Sequence, residues 1–191
     1  MELLKERIRK DGNILKGDIL KVDGFLNHQI DVKLMEEIGK EFYRLFKDGK
    51  PDKILTVESS GIAIASFTSR YFDYIPVVYA KKGVASNMSE DKYSAREHSY
   101  TRNLEYTLTV AKEYLNENNR VLILDDFMAN GEAMNALIEI CRQAHATITG
   151  CGAVISKTYQ PGEKRIRDLG YDIKSLARIK YMNENGNIEF E

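Results

Sequence analysis

This chain has no excess of charge of either sign: 28 lysines and arginines face 29 aspartates and glutamates over 191 residues. That balance argues against a protein held to nucleic acid mainly by phosphate contacts, although net charge says nothing about a local basic patch. Cysteine is scarce. Two residues, Cys141 and Cys151, make neither a disulfide framework nor a metal site, and their apolar surroundings read as reduced core positions. No apolar run approaches a membrane span, and the charged start Met1-Glu-Leu-Leu-Lys-Glu-Arg lacks the apolar region of a signal peptide. A soluble, cytoplasmic protein that engages neither membrane nor nucleic acid is expected. Internal repeats, linkers and low-complexity tracts are also missing, so one domain spanning residues 1–191, with a substantial core, is expected.

What is present concentrates in Val121-Leu-Ile-Leu-Asp125-Asp126-Phe-Met-Ala129-Asn130-Gly131-Glu132-Ala133. Four consecutive branched apolar residues read as a strand buried on both faces, as in a parallel sheet. Two aspartates follow where such a strand would emerge, then a loop of small residues. Met134, Leu137, Ile138 and Cys141 come next at helical spacing. Strand, acidic pair, small-residue loop and helix N-terminus together describe a sugar-phosphate site. Loop amides and the helix dipole would face the phosphate, and the carboxylates would meet sugar hydroxyls or lie near Mg²⁺ held by phosphate oxygens. Taken without that loop, the acidic pair is equally well explained as a turn cap and a solvated neighbour.

The rest of the chain alternates strand and helix. Residues 2–10 predict a short helix, and Asp31 predicts an N-cap for a helix to about Lys47. Strands Lys53–Val57, Ile75–Ala80, Val121–Leu124, Thr147–Ile155 and Ile173–Ile179 are interleaved with helices Ile62–Phe72, Glu132–Gln143 and Glu163–Leu169. This is the pattern of an α/β fold, a parallel sheet flanked by helices, in which ligands bind beyond the carboxyl ends of the strands. Asp18 to Ile30 has no clear period. From Lys81 to Asn103 core periodicity fails, which predicts a functional lid or a disordered segment, and Glu105–Val110 predicts a strand bordering it.

Other candidate residues sit at predicted strand ends. Glu58-Ser59-Ser60-Gly61 lies between a strand and a helix, where a second anion would fit; an ordinary capped turn explains the same residues taken alone. Lys81 and Lys82 end one strand and Lys157 follows another, positions where a lysine is ordinarily just solvated. Tyr159 could stack or simply pack nearby.

The apolar run ending in Asp125-Asp126 and its small-residue turn resemble the phosphoribosyl diphosphate (PRPP) signature of type I phosphoribosyltransferases. The form Ala129-Asn-Gly-x-Ala133 is similar to the bacterial xanthine phosphoribosyltransferases. So are Leu20-Lys-Val-Asp-Gly-Phe-Leu-Asn27-His-Gln-Ile30, Glu58-Ser-Ser-Gly-Ile62 and Ser175-Leu-Ala-Arg-Ile179, which together cover nearly the whole chain. The resemblance implies the type I fold, with a small hood from about residues 1–30 and the C-terminal segment, and a mobile lid. It implies transfer of the phosphoribosyl group from PRPP to xanthine in purine salvage, giving XMP and pyrophosphate. Mg²⁺ would be carried by PRPP rather than by protein side chains alone, and the protein would be a homodimer.

By the same resemblance, Asp125 and Asp126 lie along the ribose hydroxyls, and Ala129 to Ala133 wrap the 5′-phosphate. Relatives often have Thr-Gly-x-Thr in this turn; here backbone amides and Asn130 must replace those hydroxyls, and Glu132 should point its carboxylate away. Glu58, Ser59, Ser60 and Gly61 would hold pyrophosphate in a loop that often carries a non-proline cis peptide. Lys81 is implied in catalysis and Lys82 in PRPP binding, either lysine serving to neutralise pyrophosphate. Lys157 would donate to the oxygen at purine C6, Leu20 would offer an apolar face, and Asn27 would read the 2-oxo, N3 edge. Ala129 stands where some purine relatives have an acidic general base, so xanthine is expected to react as its anion. Two other readings stay open: the same chemistry on guanine, hypoxanthine or adenine, and a PRPP-sensing regulator without turnover.

Overall fold

The computed structural model describes residues 1–83, 91–99 and 104–191. Among these, one sheet of eight strands has the order β10-β9-β8-β7-β3-β4-β6-β5. Its middle is parallel and consists of β4 (Val77–Lys82), β3 (Lys53–Val57), β7 (Arg120–Met128), β8 (Thr147–Lys157) and β9 (Ile173–Met182). β10 (Ile188–Phe190) adds antiparallel at one edge; β6 (Leu104–Ala111) and β5 (Lys92–Ser99) add antiparallel at the other.

The apolar run of β7 is buried on both faces because helices cover both. Leu122 and Leu124 pack into a cluster with Ile38 and Phe42 of α2 (Val32–Phe46) and Ile64 of α3 (Ser60–Ser69). Val121 and Ile123 point the other way, toward Leu137 and Cys141 of α4 (Glu132–Gln143). Each such fully buried aliphatic side chain contributes about 1.5–3 kcal/mol of transfer free energy. Asp31 caps α2 by accepting from the Leu34 N–H at 3.0 Å. Cys141 and Cys151 are free and buried, and burial pushes both thiols up to about 12, in keeping with inert core residues.

From β3 the chain winds through α3 to β4 on one side of the sheet. From β7 it winds through α4 to β8, then through α5 (Gly162–Asp168) to β9 on the other. The winding direction reverses between β3 and β7, so the carboxyl ends of these two neighbours open a crevice.

Several boundaries differ from the sequence expectations. β7 runs on to Met128, so the acidic pair belongs to the strand: Asp125, Phe127 and Met128 pair with Ala153, Ile155 and Ser156 of β8. Ladder hydrogen bonds here outweigh the poor strand propensity of aspartate. α3 begins at Ser60, and its expected last turn is a separate 3₁₀ turn, Arg70–Phe72. The aperiodic segment after Lys81 contains β5, whose Ala95 is buried while Lys92 and Ser94 are not. Pairing with β6 holds β5 in place, in a strand too polar to announce itself. The rest of the expected lid, residues 84–90 and 100–103, lies outside the described residues. Before α2, a short helix α1 (Glu2–Asp11) leads into a hairpin of β1 (Asn13–Leu15) and β2 (Ile19–Lys21), then a π-helical turn, Asp23–Asn27.

Candidate functional site

A cleft of about 350 Å³ lies over the carboxyl ends of β3, β7 and β8. The strands deliver the acidic pair to its floor. Asp125 is 4 % exposed and Asp126 is half-buried. Each carboxylate also steadies the strand end: Asp125 Oδ1 accepts the Asp126 N–H at 2.9 Å, and Asp126 Oδ1 accepts the Phe127 N–H at 2.8 Å. Carboxylate oxygens are hydrogen-bond acceptors and hard ligands, so the floor favours sugar hydroxyls, a positive charge or a hard cation.

Ala129 to Ala133 form one wall. Gly131 has φ +81° and caps α4 at its N-terminus, where orphan amides and the helix dipole favour an anion. This loop leans on α5: the Gly162 N–H donates to the Ala129 carbonyl at 2.9 Å, and Arg165 Nη1 donates to the Asn130 carbonyl at 3.0 Å. Arg165 also binds the Glu132 carboxylate, so that carboxylate is held by a cation. Gly162 is irreplaceable there, since a Cβ on it would lie 2.3 Å from the Ala129 carbonyl oxygen.

Glu58, Ser60 and Gly61 form the opposing wall, with Lys82. The Glu58–Ser59 peptide is cis, as resemblance implied for this loop. Glu58 Oε1 accepts the Lys82 N–H at 2.6 Å and ties the loop to the end of β4. Gly61 sits directly over Thr56: a Cβ would fall 2.0 Å from Thr56 Oγ1 and 3.2 Å from its Cβ. Gly61→Ala should therefore cost about 1–3 kcal/mol through overpacking, read as a lower Tm. An unchanged Tm would mean the loop moves freely off β3.

Lys157, the last residue of β8, reaches the third side of the cleft. Burial lowers its pKa, and the Asp18 carboxylate opposes that. Asp18, at φ +64° in the turn between β1 and β2, brings the hairpin down onto this edge. Its carbonyl accepts from Lys157 Nζ, and its carboxylate accepts from Tyr159 Oη at 2.5 Å and Gln160 Nε2 at 2.6 Å. Tyr159 thus packs as a tether, with its pKa raised by burial and by the Asp18 carboxylate. The cleft combines an anion-binding loop, an acidic floor and a cation at a third edge, which suits a phosphorylated sugar beside an oxygen-bearing base.

Comparison with known proteins decides the family. A model of the phosphoribosyl transferase domain matches residues 22–187. The chain belongs to the phosphoribosyltransferase family. It is 50 % identical to xanthine phosphoribosyltransferase 1 of Clostridium perfringens over 97 % of both chains. It is also 50 % identical to the xanthine phosphoribosyltransferase of Clostridium novyi over 100 % of both, and 47 % identical to that of Pediococcus pentosaceus, again over 100 % of both. Among solved structures, the adenine phosphoribosyltransferase of Giardia lamblia, complexed with 9-deazaadenine, matches with a TM-score of 0.77 at 18 % identity, over 93 % of this chain and 98 % of that one. That of Trypanosoma brucei matches with a TM-score of 0.75 at 18 % identity, over 92 % of this chain and 79 % of that one. These structures share the phosphoribosyltransferase fold.

Four residues implicated by family resemblance do not line the cleft. Lys81 and Lys82 are adjacent on β4, so their side chains take opposite faces; Lys82 lines the cleft, while Lys81 lines a separate groove with Tyr79 and Val77. The catalytic part expected of Lys81 therefore lacks a place in this cleft. Leu20 is 7 % exposed, packs in the core and does not line the cleft. Asn27 ends the π-helical turn exposed, and neither it nor Ser59 is among the residues lining the cleft. Conversely, Asp18, Gln160, Gly162 and Arg165 belong to the site or its support and drew no notice in the sequence. Pro161-Gly162, a turn signal just before a predicted helix, was the one available hint.

Behind this site, Glu163 anchors α5 to β9. It is 4 % exposed, accepting from Ser175 Oγ at 2.9 Å, Arg178 Nη2 at 3.0 Å and Arg167 Nη2 at 2.7 Å. Burial disfavours its charge, but these donors and the Arg178 charge outweigh that and lower its pKa below 4.5. A depressed folded pKa gives stability that is full above the unfolded value and is lost as pH falls through the folded one. Glu163→Gln should accordingly flatten the fall of Tm below about pH 4.5. A Tm profile parallel to wild type would show that the carboxylate is not ionised in the fold.

Proposed function

We propose that the chain transfers the 5-phosphoribosyl group of PRPP to xanthine, releasing pyrophosphate and giving XMP for purine salvage. The observation that carries this reading is the convergence of three groups on one cleft. The Ala129–Ala133 loop suits a 5′-phosphate, Asp125 and Asp126 suit ribose, and Lys157 suits the oxygen at purine C6. Relatives named for xanthine, about half identical over nearly the full chain, support the choice of base. A positively charged donor at C6 favours an oxopurine over adenine, whose amino group would meet it donor to donor.

The protein's part is positioning and charge. The loop and Glu58–Gly61 wall hold the two ends of PRPP, so that C1′ lies over the acidic floor, where the carboxylates stabilise the positive charge of an oxocarbenium-like transition state. The two carboxylates of β7 offer hard oxygen donors that fit a cation shared with phosphate oxygens, so Mg²⁺ would enter with PRPP. Bound there, Mg²⁺ would neutralise the leaving pyrophosphate. Ala129 supplies no proton acceptor, which agrees with xanthine reacting as its anion. One domain over residues 1–191, a homodimer and a cytoplasmic setting belong to the same reading. Among the described residues no helix is long and apolar enough to cross a membrane.

The test is PRPP- and Mg²⁺-dependent turnover with xanthine, guanine, hypoxanthine and adenine, with pyrophosphate release followed alongside. Preference for xanthine supports the whole assignment. Preference for another base keeps the PRPP chemistry and overturns the base; binding of PRPP without turnover would make the chain a sensor.

A further inference from the structure

The 5′-phosphate loop carries an acidic residue where an anion should bind. Glu132 is the first residue of α4 and lines the cleft beside Gly131. A carboxylate in a helix's first turn is itself favoured by the dipole, so it competes for the place a phosphate dianion would occupy. Two anions there would repel.

The structure answers this with α5. Arg165 binds the Glu132 carboxylate, whose side chain is 18 % exposed, and the same Nη1 donates to the Asn130 carbonyl at 3.0 Å. The Gly162 N–H takes the Ala129 carbonyl at 2.9 Å. Two successive loop carbonyls are thus drawn toward α5. In a planar trans peptide the N–H points opposite to the C=O, so the amides of Asn130 and Gly131 are turned away from α5, toward the cleft these residues line. α5 is in turn fixed to β9 through Glu163, Ser175 and Arg178.

We propose that Arg165 is a positioning residue for the phosphate site: it holds the Glu132 carboxylate away from the bound dianion while aiming the loop amides at it. This rests on the reading of the loop as the 5′-phosphate site, and it names the charge balance that makes an acidic loop workable. Arg165 need not touch the substrate.

The test is equilibrium binding by calorimetry of ribose 5-phosphate and of PRPP with Mg²⁺, with inorganic pyrophosphate as control. Arg165→Ala should weaken both phosphoribosyl ligands about tenfold while leaving pyrophosphate unchanged, because the freed carboxylate acts over a short range at one end of the cleft. Adding Glu132→Ala to that variant should restore binding to within about threefold of wild type, since the repulsion is removed with its source. Glu132→Ala alone should bind ribose 5-phosphate at least as tightly as wild type. A double variant as weak as Arg165→Ala would overturn the proposal and leave Arg165 a simple prop of the loop. Equal weakening of pyrophosphate, or weaker ribose 5-phosphate binding by Glu132→Ala, would overturn it too. No base is present in these measurements, so a failed xanthine assignment leaves their outcome standing. Absence of ribose 5-phosphate binding to wild type would instead overturn the phosphate-loop reading itself.

Discussion

Asp126→Asn is expected to lower kcat/KM for PRPP by about 10²–10³ while leaving the fold intact. Asparagine keeps an oxygen to accept the Phe127 N–H, now made at 2.8 Å, so the strand end stays in place and only the charge is removed. Under the proposed transfer, what disappears is a carboxylate next to the ribose, where positive charge develops as the bond from C1′ to pyrophosphate breaks. That interaction strengthens in the transition state, so kcat should fall more than KM rises. Asp125→Asn should behave similarly in kcat and cost more stability, because Asp125 is almost fully buried. Steady-state kinetics beside thermal melts separates the two effects. A variant with wild-type kcat would mean the floor of the cleft does not face the reacting carbon.

That floor was the most legible part of the molecule. Val121 to Leu124 are apolar without interruption because both faces of β7 are covered, and few other local structures demand such a run. α2 was equally plain, since its buried face repeats at helical spacing and Asp31 caps it. The loop of small residues between β7 and α4 read as an anion site because glycine at positive φ and a helix start are both local features.

What escaped depends on contacts between residues far apart in the chain. Asp18 meets Lys157 across 139 positions, and no pattern near either one records it. Gly162 matters only because the Ala129 carbonyl is in its way, and Arg165 only because Glu132 lies beneath it. β5 was missed for a related reason: a polar strand at a sheet edge is held by its partner's backbone, and backbone hydrogen bonds leave no mark on side-chain order. Strand alternation decides which of Lys81 and Lys82 lines the cleft, but only once the register of β4 is known.

Lys157 carries the other large effect. Lys157→Ala should cut kcat/KM for xanthine by about 10–10² or more, as expected for a lost hydrogen bond from a charged donor, and should reduce the preference for xanthine over adenine by at least that factor. The ammonium has three donors. One is spent on the Asp18 carbonyl, which fixes the amine at the rim of the cleft and leaves the others for a base oxygen. Because the Asp18 carboxylate is separately held by Tyr159 and Gln160, the hairpin turn keeps two of its attachments when Lys157 is shortened. The variant therefore tests recognition more than folding. Lys157→Gln supplies the needed control: an amide retains a neutral donor, so it should recover part of the xanthine rate but not the discrimination that the positive charge imposes. Equal losses on xanthine and adenine would point instead to a hood that closes poorly over either base, and would move base selection from Lys157 to the hairpin that Asp18 brings down on it.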